Sequence, residues 1–161
     1  MLMLLFRVGK ERYALDTTSV VEVIPKIDLI EYRGTQPSVA GRFNYQGQIV
    51  PVLELSRILG ETPCLAVLSA RIILVDLAPT GSSPRLLGLL VEQATETLSG
   101  DRVHPAENSI QLSQQPYLGD VVLQEQMMIQ CLHPERLLSE QSYDQLITPL
   151  EIFAPETGEA D

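Results

Sequence analysis

The chain has 161 residues, a length that suits one domain with a sizeable core, and it buries about 70% of its unfolded surface without need of disulfide or metal. Hydrophobic residues make up 45% and charged residues 20%, which excludes disorder for the chain as a whole. Eleven Lys and Arg against 21 Asp and Glu leave a formal net charge of −10, a surface that repels phosphate backbones and anionic lipid and argues against nucleic-acid or membrane-surface binding.

The apolar segments are short, rich in Val, Ile and Leu, and separated by Gly, Pro, Asn or Ser, which is the rhythm of an all-β protein. A strand is predicted over residues 3–8, turned by Gly9-Lys10 into a second over 12–15. Strands over 19–24 and 27–32 follow on either side of Pro25, and 33–40 reads as a loop carrying Gly34 and Pro37. Residues 43–45, the turn Gln46-Gly47 and residues 48–55 read as a hairpin, with positive φ available at the glycine. Ile49 to Leu53 is apolar at consecutive positions, so that strand is covered on both faces, with Pro51 marking an edge or a bulge.

Residues 71–77 and 86–91 flank the turn 79–84 and form another hairpin, and 100–109 reads as a polar loop containing Pro105. Strands over 118–123 and 127–132 make the last pair. Pro134 then suits a first helical turn and Glu135 its positive end, so a helix is expected through Leu138 or beyond. From Thr148 the chain becomes acidic and proline-containing, and 149–161 reads as an acidic, flexible tail that frays over 154–161. About ten short strands with little helix fit one large barrel or two small ones, and periodicity does not choose between them.

Residues with catalytic chemistry are sparse. The two histidines are His104, in the polar loop before Pro105, and His133, paired with Cys131 as C-x-H. His104 reads as a solvated loop residue. Two ligands at the C-x-H spacing fall short of the three or four that zinc needs, so Cys131 reads as a buried thiol and His133 as a cap before Pro134. Glu92, Glu96 and Asp101 could serve acid–base work, but on so acidic a chain they read as a solvated face. Gly81-Ser-Ser lacks the lysine and following helix of a phosphate loop. Eight aromatics and two lysines do not make the basic, aromatic groove of a single-strand binder. Cys64 and Cys131 lie far apart and form no CxxC, which suits a reducing compartment. The longest apolar run, Met1 to Phe6, is much shorter than a membrane span, and a cytoplasmic protein with no cofactor, no metal and no direct membrane insertion is expected.

What the chain has to spare is apolar surface. Val20, Val21, Val23 and Ile24 surround Glu22, so neither face of that strand is purely polar. A small barrel buries one face of each strand, and the second apolar face must meet another barrel or a partner.

Seven segments, in order and at consistent separations, resemble the CheW-like coupling proteins of bacterial chemosensory systems. They are Phe6-Arg-Val-Gly with Tyr13-Ala-Leu-Asp; Val20-Val-Glu-Val-Ile; Gly41-Arg-Phe-Asn-Tyr-Gln-Gly-Gln-Ile-Val-Pro-Val-Leu-Glu-Leu; Arg71-Ile-Ile-Leu-Val; Leu87-Gly-Leu-Leu-Val-Glu; Tyr117-Leu-Gly; and Met128-Ile-Gln with Pro134-Glu-Arg-Leu-Leu. The resemblance implies one domain over 1–148, built of two SH3-like five-stranded β-barrels packed over a shared hydrophobic core, with a short C-terminal helix. It implies a non-catalytic adaptor whose partners are the cytoplasmic tip of methyl-accepting chemoreceptors and the regulatory domain of a CheA-type histidine kinase. The positions matching the family's receptor-binding groove are Val20, Glu22 and Val23, then Asn44, Gln46 and Gly47 of the hairpin, with Leu137 and Leu138 as the other wall.

Three departures mark the chain as divergent. Family members usually carry Arg where this chain has Gln46, so Glu22 is either solvated or reached by another cation such as Arg42. The common Asp after the strand proline is Glu54 here, and the common Val-Asp pair is Val91-Glu92. These departures suit an alternative pathway (pilus motility, surface sensing or second-messenger control), and also a variant role: a CheW-like regulator that binds the kinase but not the usual receptor tip.

Overall fold

The first two strands pair because Gly9-Lys10 reverses a chain whose apolar residues face two cores in alternation. In the computed structural model, which describes residues 1–32, 37–60, 68–81, 83–105 and 115–147, β1 (Leu2–Val8) runs antiparallel to β2 (Glu11–Asp16) from Met3↔Asp16 to Val8↔Glu11. A 3-10 turn over Thr17–Ser19, capped by the Asp16 carboxylate accepting from the Thr18 amide at 3.0 Å, leads into β3 (Val20–Pro25). There follow β4 (Val39–Tyr45), β5 (Gln48–Glu54), the single helical turn α1 (Leu55–Ile58), β6 (Arg71–Asp76), β7 (Leu86–Val91) and β8 (Gln93–Ser99). The chain continues through β9 (His104–Pro105), β10 (Leu118–Gln124), β11 (Met127–Leu132) and the helix α2 (Glu140–Ile147).

The strands form two sheets, ordered β8-β1-β2-β11-β10-β9 and β3-β6-β7-β5-β4. Each contains one parallel pairing, β11 with β2 and β5 with β7. Both curl into SH3-like barrels. Met3, Leu5, Ala14, Leu98 and Ile129 fill the first, and Phe43, Val50, Val52, Ile72, Leu74, Leu86 and Leu90 fill the second. The opposite faces of the same strands meet in a third cluster, in which Leu4, Phe6 and Leu15 of the first sheet pack against Leu53, Ile73, Val75, Leu87 and Leu89 of the second. The consecutive apolar positions of β5, β6 and β7 have this cause: alternate residues face the barrel interior and the shared core.

Several details differ from the sequence reading. The first sheet has six strands, because the expected polar loop supplies the two-residue β9 through Leu123↔His104 and Val122↔Pro105; residues 106–109 of that loop lie outside the described residues. β8 carries only Ala94 and Leu98 as apolar residues, too few to show as a hydrophobic run, yet it pairs along β1 from Leu2↔Ser99 to Arg7↔Gln93. Residues 27–32 form no strand; one backbone bridge, Ile30↔Arg42, pairs them with β4. Pro51 lies in β5 opposite Arg42 of β4, and because the β5–β7 register begins only at Val52, it occupies the part of β5 that is paired on one side alone, where a missing N–H is tolerated. The C-terminal helical region is split. A 3-10 turn covers Pro134–Arg136, and Ser139, whose hydroxyl accepts from the Ser142 amide at 3.0 Å, starts α2 afresh. The expected tail, 149–161, lies outside the described residues.

Candidate functional site

β3 is an edge strand of the second barrel, and its register divides its side chains. Val20 and Val23 lie opposite Val75 and Ile73, which belong to the shared core, whereas Glu22 lies opposite Leu74 of the barrel interior. Directly opposed residues share a face, so Val20 and Val23 point one way and Glu22 the other. The register shift between Val20 and Glu22 is a bulge that puts residues three apart on one face and leaves Val21 exposed. Val20 packs against the shared core, while Val23 is 37% exposed.

The hairpin between β4 and β5 supplies the second group. Gln46 (φ 52°) and Gly47 (φ 89°) both adopt left-handed conformations, as a two-residue turn between twisted strands requires. The Asn44 side chain accepts from the Gly47 amide at 2.7 Å and fixes the turn from outside. Asn44, Gln46 and Gly47 are all exposed, and Asn44 is paired with the exposed Ile49.

Glu22 joins the two groups. Its Oε1 accepts a 2.6 Å hydrogen bond from the Tyr45 hydroxyl, and Tyr45 ends β4, the opposite edge of the same sheet. The seam of the barrel therefore closes through Glu22, and that bond holds the Tyr45 hydroxyl above its ordinary pKa. Arg42 does not serve Glu22. Its guanidinium stands 4.7 Å over the Tyr32 ring and donates to the Glu31 carbonyl. The sequence reading gave Glu22 two outcomes, solvent or a cation; it is exposed, and its partner is the neighbouring phenol that the reading passed over.

Leu137 and Leu138 are half-buried and pack against the shared core, the cluster that Val20 also touches. These three side chains converge on one apolar region, while Glu22 and the hairpin turn gather at the barrel's seam.

The two members of the C-x-H pair sit in different surroundings. Cys131 packs against the interior of the first barrel, where burial, then Asp120, pushes its thiol above the ordinary value and favours the protonated form. The His133 imidazole makes no capping hydrogen bond, contrary to expectation; it packs over Gly119, and its Nδ1 lies 3.8 Å from a Glu135 carboxylate oxygen. Among the described residues no group of three His, Cys, Asp or Glu could hold a metal ion. Glu96, Asp101 and His104 are exposed, as the solvated readings had them, whereas Glu92, read with them, is half-buried. Among the described residues no helix is long and apolar enough to cross a membrane.

The fold and the sequence both have counterparts among known proteins. The CheW-like domain family matches residues 2–142, nearly the whole chain. The chain belongs to the CheW-like family. The scaffolding protein TtCheW from Thermoanaerobacter tengcongensis has the same fold, with a TM-score of 0.68 at 21% identity over 86% of this chain and 98% of that one. A search of curated proteins finds no significant sequence match. Membership of the CheW-like family places the chain among chemotaxis scaffolding and adaptor proteins, a non-catalytic class.

Proposed function

We propose that the chain is a non-catalytic adaptor that couples the cytoplasmic tip of chemoreceptors to the regulatory domain of a CheA-type kinase. One observation supports this reading above the others: within the family match, the edge strand β3 presents Val21 and Val23 to solvent beside a barrel seam already closed by Glu22 and Tyr45. Such a surface offers apolar contact with a polar rim, the anatomy of a protein-binding groove. Val20, Val23, Leu137 and Leu138 would supply its apolar walls, and Glu22, Asn44, Gln46 and Gly47 its polar edge. The loss of the family arginine at Gln46 leaves no uncompensated buried charge, since Glu22 is exposed and satisfied by Tyr45.

The test is a binding assay of the full chain against two ligands from its own genome, a receptor cytoplasmic tip and a CheA-type regulatory domain. Binding to both is expected. Kinase binding alone would replace this reading with that of a regulator that excludes the receptor, and binding to neither would remove the coupling role.

A further inference from the structure

The helix α2 is held by an arrangement that the groove reading does not use. It has eight residues, a length at which an isolated helix is unstable in water, and Tyr143 is its one buried side chain. Two tyrosine hydroxyls fasten it to the second barrel. The Tyr143 hydroxyl donates to the Leu86 carbonyl at the start of β7 at 2.8 Å. The Tyr32 hydroxyl, from the segment after β3, donates at 2.6 Å to the Leu146 carbonyl, one of the last four carbonyls of α2. A guanidinium backs each ring: Arg85 stands 5.0 Å over Tyr143 and Arg42 stands 4.7 Å over Tyr32. Arg42 is also bonded through its backbone to Ile30, at 2.9 Å in both directions, so the segment carrying Tyr32 is itself pinned to β4. Tyr143 and Leu146 lie beyond residue 142, where the family match ends.

Ser139 alone separates Leu138 from α2, so whatever fixes the helix also fixes the backbone that aims Leu137 and Leu138 into the shared core. We propose that Tyr32 and Tyr143 form a clasp that fastens α2 to the second barrel and thereby positions Leu137 and Leu138 as a wall of the receptor groove. The proposal rests on the coupling reading above. Tyr32 and Tyr143 are positioning residues; through Arg42 the clasp connects that wall to the strand that carries the hairpin turn.

The experiment uses the full chain with Tyr32→Phe, Tyr143→Phe and the two combined. Phenylalanine keeps each ring in place and removes only the hydroxyl, so the fold is retained. Amide hydrogen exchange over residues 140–147 accelerates about fivefold in each single variant and further in the double, while the amides of β6 and β7 keep their rates. Affinity of the double variant for a receptor-tip fragment falls several-fold. Leu137→Ala weakens binding in the intact chain and adds little in the clasp-free background, a non-additivity that a merely structural role would not produce. Unchanged exchange in α2 overturns the clasp, and faster exchange with unchanged affinity overturns its positioning role. If the intact chain does not bind the receptor tip at all, the coupling reading falls and the wall's role with it, while the exchange rates still decide the clasp.

Discussion

Glu22 shows how much of one side chain's surroundings a sequence can carry: it is exposed, one of the two outcomes expected of it, and its partner is a phenol. Its place on a strand between apolar neighbours was readable from the Val-Val-Glu-Val-Ile pattern, but its partner was not, because Tyr45 reaches it from the far edge of a sheet that closes on itself. No local spacing encodes a contact between residues 23 positions apart on opposite edges. The bond makes a measurable claim. Glu22→Gln removes the anion that holds the Tyr45 proton, so Tyr45 titrates at a lower pH, nearer its ordinary value, as followed by NMR of ring-labelled tyrosine; an unmoved titration refutes the assignment. Val23 carries the binding claim at the same scale. It is 37% exposed on an edge strand, so Val23→Asp leaves the melting temperature within a few degrees, yet a charge in an apolar contact weakens receptor-tip binding more than about tenfold. A folded variant that binds with unchanged affinity removes Val23 from the groove.

Among the elements, those that stand out in sequence as unbroken apolar runs are the ones with both faces buried. β5, β6 and β7 announce themselves as apolar runs, since one face lines a barrel and the other lines the shared core. β8 escaped notice for the opposite reason: it sits at a sheet edge, buries Leu98 and half-buries Ala94, and leaves Glu96 and Thr97 in solvent. Residues 27–32 misled in turn, because an apolar content of strand type, Ile27, Leu29 and Ile30, found one bridge and no ladder; Ile27 and Ile30 remain exposed. Gly88 marks how closely the central strands approach. A Cβ there would stand 2.9 Å from a methyl of Ile72 and 2.9 Å from a methyl of Val52, both fully buried and stiff at χ1. Gly88→Ala therefore overpacks the interior of the second barrel and costs about 1–3 kcal/mol, read as a lower denaturant midpoint with an unchanged slope. A midpoint equal to that of the parent chain would show that the barrel relaxes around the added methyl.

At the scale of the whole molecule, the all-β class followed from the sequence pattern, but the choice between one barrel and two did not. A strand covered by a second barrel and a strand at the centre of one large barrel carry the same apolar runs, and the resemblance to the CheW-like family had to decide. Three tyrosines tie that assembly to pH. Burial pushes Tyr32 up to about 12, against a smaller opposing pull from Arg42, and burial likewise raises Tyr143 and Tyr117. Each phenol is neutral in both the folded and unfolded chain below about pH 10, so none contributes a pH dependence there. Above that value the unfolded chain loses its tyrosine protons first; the folded chain then holds more protons, and stability falls as pH rises. For Tyr32 the loss runs from the ordinary value of 10.0 to the folded value of about 12. Thermal melts across this interval should show a falling midpoint, and Tyr32→Phe, which removes one titrating group, should flatten the slope while lowering stability at neutral pH. Parallel slopes in the parent and the variant would mean that the Tyr32 phenol is not buried in the folded chain, and the attachment of α2 to the barrel would then lack its bond to Leu146.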